Sequence, residues 1–135
     1  MKVINPVLPG FNPDPSLVRV GDDYYIATST FEWFPGICIH HSKDLVNWEI
    51  LSYALTDETK FDIKGMDTAC GIWAPNLTYD NGTFYLIYTI VYTNRHRFKD
   101  THNFMVTATD PQGPWSAPIP LNKMGLQPTL DHDPS

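Results

Sequence analysis

Asp14 is the residue whose setting points most directly to chemistry, because it is an acid enclosed by two prolines within residues 10–16, GFNPDPS. Parts of this pattern return at residues 74–76, APN, and at residues 133–135, DPS, each about 60 residues after the one before. So regular an interval predicts repeated structural modules in which Asp14 and Asp133 hold equivalent positions. A carboxylate can accept a proton from a molecule bound beside it, so Asp14 is a candidate for acid–base chemistry. The alternative interpretation of an aspartate between prolines is a turn former.

The segments after each proline support the modular interpretation. Residues 17–30 read as strand, turn and strand, and residues 77–89 repeat that order with a Gly or Asp turn and a second strand rich in aromatic and β-branched residues. This combination is typical of an antiparallel hairpin. A third strand, a polar turn and a tryptophan that opens a short fourth strand then follow at 37–48 and 104–115. Each module is therefore predicted to be a four-stranded meander.

Four-stranded meanders repeated along a chain are the unit of a β-propeller, in which blades surround a central channel. No segment sustains the 3.6-residue apolar period of a helix, and twelve prolines would interrupt one repeatedly. We therefore predict an all-β fold. The 135 residues supply about two blades and the start of a third, which cannot close a ring, so we interpret 1–135 as one incomplete propeller domain.

Charge and hydropathy exclude several classes of partner. The net charge of −6 argues against a nucleic-acid phosphate backbone as a partner, and the one dense basic cluster, residues 95–97, is expected to be a solvated loop tip. The first residues lack an apolar stretch as long as a secretory signal, and no membrane-spanning run follows. We expect a cytoplasmic protein that contacts no membrane.

The metal-binding residue types do not form a recognisable site in the sequence. The five histidines lack the spacing of metal ligands, and Cys38 and Cys70 are too few for a disulfide framework. We therefore expect two reduced thiols, and assign neither a metal nor a cofactor.

Several motifs occur in a fixed order between about Asn5 and Leu121, namely 5–8, 10–16, 21–25, 29–36, 41–45 and 71–75. Together they resemble the beginning of the family 43 glycoside hydrolases, and most closely the intracellular β-xylosidases of that family, some of which also release α-L-arabinofuranosyl groups. The resemblance implies a five-bladed propeller, inverting hydrolysis of terminal xylosyl residues, and a complete enzyme much longer than this chain. The expected substrates are xylo-oligosaccharides or arabinosides, and the choice between xylose and arabinose stays open.

The resemblance also assigns roles to individual residues. An inverting glycosidase needs a carboxylate to take a proton from water and a carboxylic acid to protonate the leaving oxygen. Asp14 matches the general base of the family. Phe31 and Trp73 match positions that line the pocket of the terminal sugar, where a flat aromatic face meets the C–H groups of a pyranose. Packing in the core is the alternative interpretation for both aromatic residues.

A third family acid orients the catalytic acid and raises its pKa, and two placements of it are open here. Asp133 fits the Asp-Pro-Ser pattern and the repeat interval, and we favour it. Alternatively, residues 125–130 occupy that place, so that Gln127 replaces the acid and the modulator is missing. The catalytic acid itself, a Glu further along in the family, has no counterpart in these residues, so we predict that the chain alone is inactive.

Three other hypotheses stay open. The complete enzyme is an arabinofuranosidase if the depth of its pocket and the later blades favour arabinose over xylose. A non-catalytic carbohydrate-binding propeller would keep the aromatic residues without needing the acids. A truncated product without function is the third. A homo-oligomeric state of the complete enzyme is neither indicated nor excluded.

Overall fold

A computed structural model describes residues 4–93, 95 and 99–133. Within these residues the strands are β1 (Ser16–Val20), β2 (Asp23–Thr28), β3 (Gly36–Ser42), β4 (Glu49–Leu55), β5 (Gly71–Asp80), β6 (Thr83–Thr93), β7 (Asp100–Ala108) and β8 (Ile119–Asn122). They form two four-stranded sheets in the orders β1-β2-β3-β4 and β5-β6-β7-β8, with every neighbouring pair antiparallel. The predicted meanders are confirmed.

The hairpin turns follow from the local sequence. Asn81 and Gly82 connect β5 to β6 with φ values of 45° and 81°. A two-residue hairpin turn with positive φ at both positions suits the twist of antiparallel strands, and Asn-Gly adopts it at low cost. The segment from 123 to 133, in which a third blade was expected to begin, contains no strand in the described residues.

One hydrophobic core lies between the two sheets. Ala27 and Ile39 on the first sheet and Leu86 and Val106 on the second have no exposed surface. Across the interface, the rings of Tyr25 and Phe84 meet edge to face with centroids 5.4 Å apart. Phe84 belongs to the buried apolar cluster, and the partly buried Tyr25 packs against it. Burial of a large aliphatic side chain contributes about 1.5–3 kcal/mol, so the facing sheets stabilise each other.

The opposite face of the first sheet is open. Leu17, Ile26, His40 and Ile50 form one row across β1 to β4, and the two end residues of that row are more than half exposed. Both ring nitrogens of His40 are buried without a hydrogen-bond partner among the described residues, and burial lowers the pKa of this histidine. An apolar face of this kind is typical of a sheet that packs against a further layer.

A short backbone bridge joins the sheets near one end. The Phe31 N–H donates to the Ile72 carbonyl oxygen at 3.0 Å, and the Ile72 N–H donates to the Phe31 carbonyl oxygen at 2.9 Å. Gly71 precedes this bridge with φ 93°, and a Cβ at that position would lie 2.2 Å from the Phe31 oxygen. Only glycine allows so close an approach, and the bridge fixes where the residues that follow in each sheet lie.

The basic cluster at 95–97 falls mostly outside the described residues. Arg95 is described, and its guanidinium forms a two-pronged ion pair with Asp67 that lowers the pKa of that carboxyl group. A separate observation concerns membranes: among the described residues, no helix has the length and apolar character needed to cross one.

Candidate active site

Asp14 lies two residues before the start of β1, and Ser29 binds its side chain. The Ser29 hydroxyl, just beyond β2, donates to Asp14 Oδ2 at 2.8 Å, and the Ser29 N–H donates to the carbonyl oxygen of Pro13 at 3.0 Å. Asp14 is exposed, whereas Ser29 is 1% exposed. A buried hydroxyl thus holds one carboxylate oxygen while the aspartate itself stays open to solvent.

Three residues, each followed by a proline, share an uncommon backbone conformation. Asp14, Ala74 and Gln127 have φ values of 52°, 45° and 57°. Left-handed conformations of non-glycine residues cost on the order of 1–3 kcal/mol and concentrate at functional sites. With the two residues after each of them, they line a cleft of about 260 Å³, which consists of Asp14, Pro15, Ser16, Ala74, Pro75, Asn76, Gln127, Pro128 and Thr129.

A repeated hydrogen bond establishes that these three turns are equivalent. The Leu77 N–H donates to Ser16 Oγ at 2.9 Å, and the Leu130 N–H donates to Asn76 Oδ1 at 3.0 Å. In both cases the acceptor directly follows the proline of one module, and the donor lies two residues after the proline of the next module, Pro75 or Pro128. Gln127 therefore stands where Asp14 and Ala74 stand in the first two modules.

The expected equivalence of Asp133 with Asp14 is wrong. Asp133 is exposed and lies outside the wall of the cleft, six positions beyond Gln127, while Pro134 and Ser135 are outside the described residues. The cause is unequal connections: residues 56–70 separate β4 from β5, whereas only residues 123–126 separate β8 from Gln127. The alternative placement, with Gln127 in place of an acid, agrees with the geometry.

Ala74 and Pro75 interrupt the pairing of β5. Trp73 pairs with Thr89 and Asn76 with Ile87, so the register shifts between them. Proline cannot donate to a sheet, and such irregularities often redirect side chains beside active sites. This bulge turns the backbone of the second module into the cleft beside Asp14.

Phe31 and Trp73 lie next to each other, as their predicted common role requires. Their ring centroids are 5.7 Å apart, and the Phe11 ring is a further 5.7 Å from that of Phe31. Trp73 Nε1 donates to the Ala69 carbonyl oxygen at 2.9 Å, and Lys99 Nζ lies 5.6 Å from the Trp73 ring centroid. Both rings are partly buried and stand outside the buried core cluster, so sugar binding by them stays a prediction.

Ser29 is the site residue that the sequence interpretation missed. A signal for it exists in the repeat. Leu17 corresponds to Leu77 in the two hairpins, and the same offset makes Ser29 the counterpart of Thr89 in the second module. Both are buried hydroxyl residues; Thr89 donates to Asn103 Oδ1 at 2.6 Å.

Among the described residues no cluster of three or more His, Cys, Asp or Glu side chains could hold a metal ion.

Comparison with known proteins agrees with this geometry. The family profile "Glycosyl hydrolases family 43" matches residues 3–135. The chain is 55% identical over 132 residues to xylosidase/arabinosidase 43B of Humicola insolens, covering 98% of this chain and 24% of that protein. It is 54% identical over 133 residues to a β-xylosidase of Bacillus subtilis (strain 168), covering 98% of this chain and 25% of that protein.

A solved structure gives the same result in three dimensions. The crystal structure of xylan β-1,4-xylosidase from Bacillus halodurans C-125 superposes with a TM-score of 0.96 at 59% identity, over 98% of this chain and 26% of that one. The chain thus spans about a quarter of the length of the relatives it matches. Its two sheets are blades of the five-bladed propeller, and the all-β prediction is confirmed. The chain belongs to family 43 of the glycosyl hydrolases.

Proposed function

We propose that this chain supplies the general base and part of the sugar pocket of an inverting glycoside hydrolase that releases terminal xylose from xylo-oligosaccharides. The observation that carries the proposal is the position of Asp14: an exposed carboxylate, held through Oδ2 by Ser29, in the wall of a cleft formed by three equivalent turns. Membership of family 43 supports the reaction class.

In the proposed mechanism, Asp14 accepts a proton from the water that attacks the anomeric carbon. A carboxylic acid on the other side of the sugar protonates the leaving oxygen, and in inverting enzymes the two groups stand about 6.5–9.5 Å apart to leave room for the water. That acid comes from a part of the enzyme outside these 135 residues. Phe31 and Trp73 offer a partly exposed aromatic surface to the sugar ring.

Gln127 changes the electrostatics of the proposed site. A carboxylate in this position would disfavour ionisation of a nearby catalytic acid and so raise its pKa. A neutral amide offers hydrogen bonds to the substrate but exerts no such effect. The proposed site therefore holds one acid, Asp14, among its three equivalent turns, and its general acid is less well adapted to protonate a leaving group near neutral pH.

Xylose is the favoured sugar because both curated relatives named above carry a xylosidase designation. The Humicola insolens relative is named for arabinosidase activity as well, which makes terminal arabinofuranose the second candidate. The test is a hybrid enzyme, in which this chain replaces the matching 133-residue segment of the Bacillus subtilis β-xylosidase. Nitrophenyl xyloside and nitrophenyl arabinofuranoside are the substrates.

We expect the chain alone to release no nitrophenol and the hybrid enzyme to hydrolyse the xyloside. Asp14→Asn should lower kcat of the hybrid enzyme by at least about 100-fold, the range of a lost general base. Asp22→Asn is the matched control, because Asp22 lies in the β1–β2 turn with a side chain 95% exposed. A folded Asp14→Asn hybrid with undiminished turnover would refute the assignment of the base. An inactive hybrid that still binds xylose would favour the non-catalytic alternative.

A further inference from the structure

We propose that Ser29 is a positioning residue that orients the Asp14 carboxylate across the junction of the two blades. The inference rests on the proposed function, since it concerns the base of that reaction. Ser29 is 1% exposed, and its hydroxyl makes two hydrogen bonds that point to different parts of the molecule.

The direction of the hydroxyl proton follows from the partners. The Ala74 N–H donates to Ser29 Oγ at 2.7 Å, so the oxygen acts as acceptor toward the second blade. A serine hydroxyl carries one proton, and here that proton points to Asp14 Oδ2 at 2.8 Å. Because a donor that also accepts is polarised by its second partner, the backbone of the second blade strengthens the hold on the carboxylate.

This arrangement leaves the orientation of the carboxylate with little freedom. Asp14 and Ala74 both have left-handed φ values, and such conformations persist only where the surroundings fix them. The Ser29 N–H fixes the Pro13 carbonyl oxygen as well, so a single buried residue holds the backbone before Asp14, its side chain and the bulge that contains Ala74. With Oδ2 bound by the hydroxyl, we assign the contact with the attacking water to Asp14 Oδ1.

A purely structural role is the competing explanation, because a buried hydroxyl that bonds a carboxylate and a backbone N–H also stabilises the fold. Ser42 provides the matched control. It is 2% exposed, and its hydroxyl likewise donates to a carboxylate, Asp44 Oδ1 at 3.1 Å, and accepts a backbone N–H, that of Leu45 at 2.9 Å. Ser42 lies at the end of β3 and outside the cleft. Ser42→Ala thus removes the same kind of bonds without touching the proposed base.

The first measurement uses the 135-residue chain alone and does not depend on catalysis. NMR should detect a slowly exchanging Ser29 hydroxyl proton, and Asp14→Ala should accelerate its exchange while the Ala74 amide, whose acceptor remains, stays protected. Equal hydroxyl exchange in the wild type and in Asp14→Ala would overturn the proposal, because the proton would then not be held by the carboxylate.

The second measurement uses the hybrid enzyme. Ser29→Ala should lower kcat for nitrophenyl xyloside by about 10- to 100-fold, the range of a lost hydrogen bond to a charged group, with KM nearly unchanged. Ser29→Thr, which keeps the hydroxyl, should recover most of the loss, and Ser42→Ala should leave kcat unchanged. An equal kcat loss in Ser29→Ala and Ser42→Ala would overturn the proposal. An inactive wild-type hybrid would count against the proposed function alone, since the NMR measurement then decides the role of Ser29.

Discussion

Replacing Gly71 with alanine should destabilise the protein by about 2–5 kcal/mol, because this glycine lies where the backbones of the two blades form a bridge. A Cβ at Gly71 would lie 2.2 Å from the Phe31 carbonyl oxygen, 2.5 Å from its carbonyl carbon and 2.8 Å from the Glu32 nitrogen. All three are backbone atoms, which cannot rotate away as a side chain can. The bridge between Phe31 and Ile72 must therefore open.

The magnitude combines two costs. The φ of 93° at Gly71 lies beyond the left-handed region that alanine tolerates, which costs about 1–2 kcal/mol. Opening the bridge removes two backbone hydrogen bonds, each worth about 0.5–1.5 kcal/mol net. Domains are stable by only about 5–15 kcal/mol, so the loss is a large part of the total.

Urea denaturation followed by tryptophan fluorescence measures this change on the chain itself. Gly65→Ala is the control, because Gly65 also has a positive φ, 70°, but no described atom lies within 4 Å of the Cβ that would be added. The control should lose about 1 kcal/mol from its backbone conformation. Equal losses at the two positions would refute the reasoning, because the approach of the Phe31 backbone would then contribute nothing.

Two further predictions concern charge. In the hybrid enzyme, Gln127→Asp should raise kcat by about 10-fold or more, because it restores an acid to the third turn. The control is Gln112→Asp, the same change on an exposed loop of the second blade, which should leave kcat unchanged. A kcat unchanged by Gln127→Asp would contradict the modulator assignment. In the chain alone, hydrogen bonds from the N–H groups of Asn47 and Val46 hold the pKa of Asp44 well below 3.8, its ordinary value. A depressed pKa stabilises the fold above the unfolded-state pKa, and this contribution fades as the pH falls through the folded-state pKa. Asp44→Ala should therefore lower the melting temperature at neutral pH, and its gap from the wild type should narrow progressively as the pH falls below about 4. A gap independent of pH would show that these bonds do not depend on the charge.

The blades could be predicted from the sequence because the information that forms them is local. Alternating apolar residues and two-residue turns specify each hairpin, and Tyr25 and Tyr85 hold matching positions in the two modules, as expected. The hydrogen bond from the Ala74 N–H to Ser29 and the packing of Tyr25 on Phe84 depend on contacts between blades. Neither has a signature within one hairpin.

The favoured placement of the third turn, at Asp133, is wrong because equal spacing does not guarantee equal position. Spacing counts strand residues and connecting residues alike, so the short connection before Gln127 displaced the third turn from the expected place. The residue type reinforced the error, since Asp133 offered the acid that the chemistry requires. The hydrogen bond from Leu130 to Asn76, which identifies the true position, joins residues 54 apart and has no local signal.

Position and residue type therefore carry different information in this protein. The left-handed backbone before each proline places residues 14, 74 and 127 in one cleft whatever their side chains are, and the three modules place an acid, a methyl group and an amide there. If the turn geometry is set by the fold, an exchange such as Gln127→Asp alters the chemistry of the cleft without altering its shape. Under the proposed function, the small side chain of Ala74 leaves room for a sugar beside Asp14. Under the further inference, Ser29, which accepts a hydrogen bond from the Ala74 N–H, ties the orientation of that acid to the neighbouring blade.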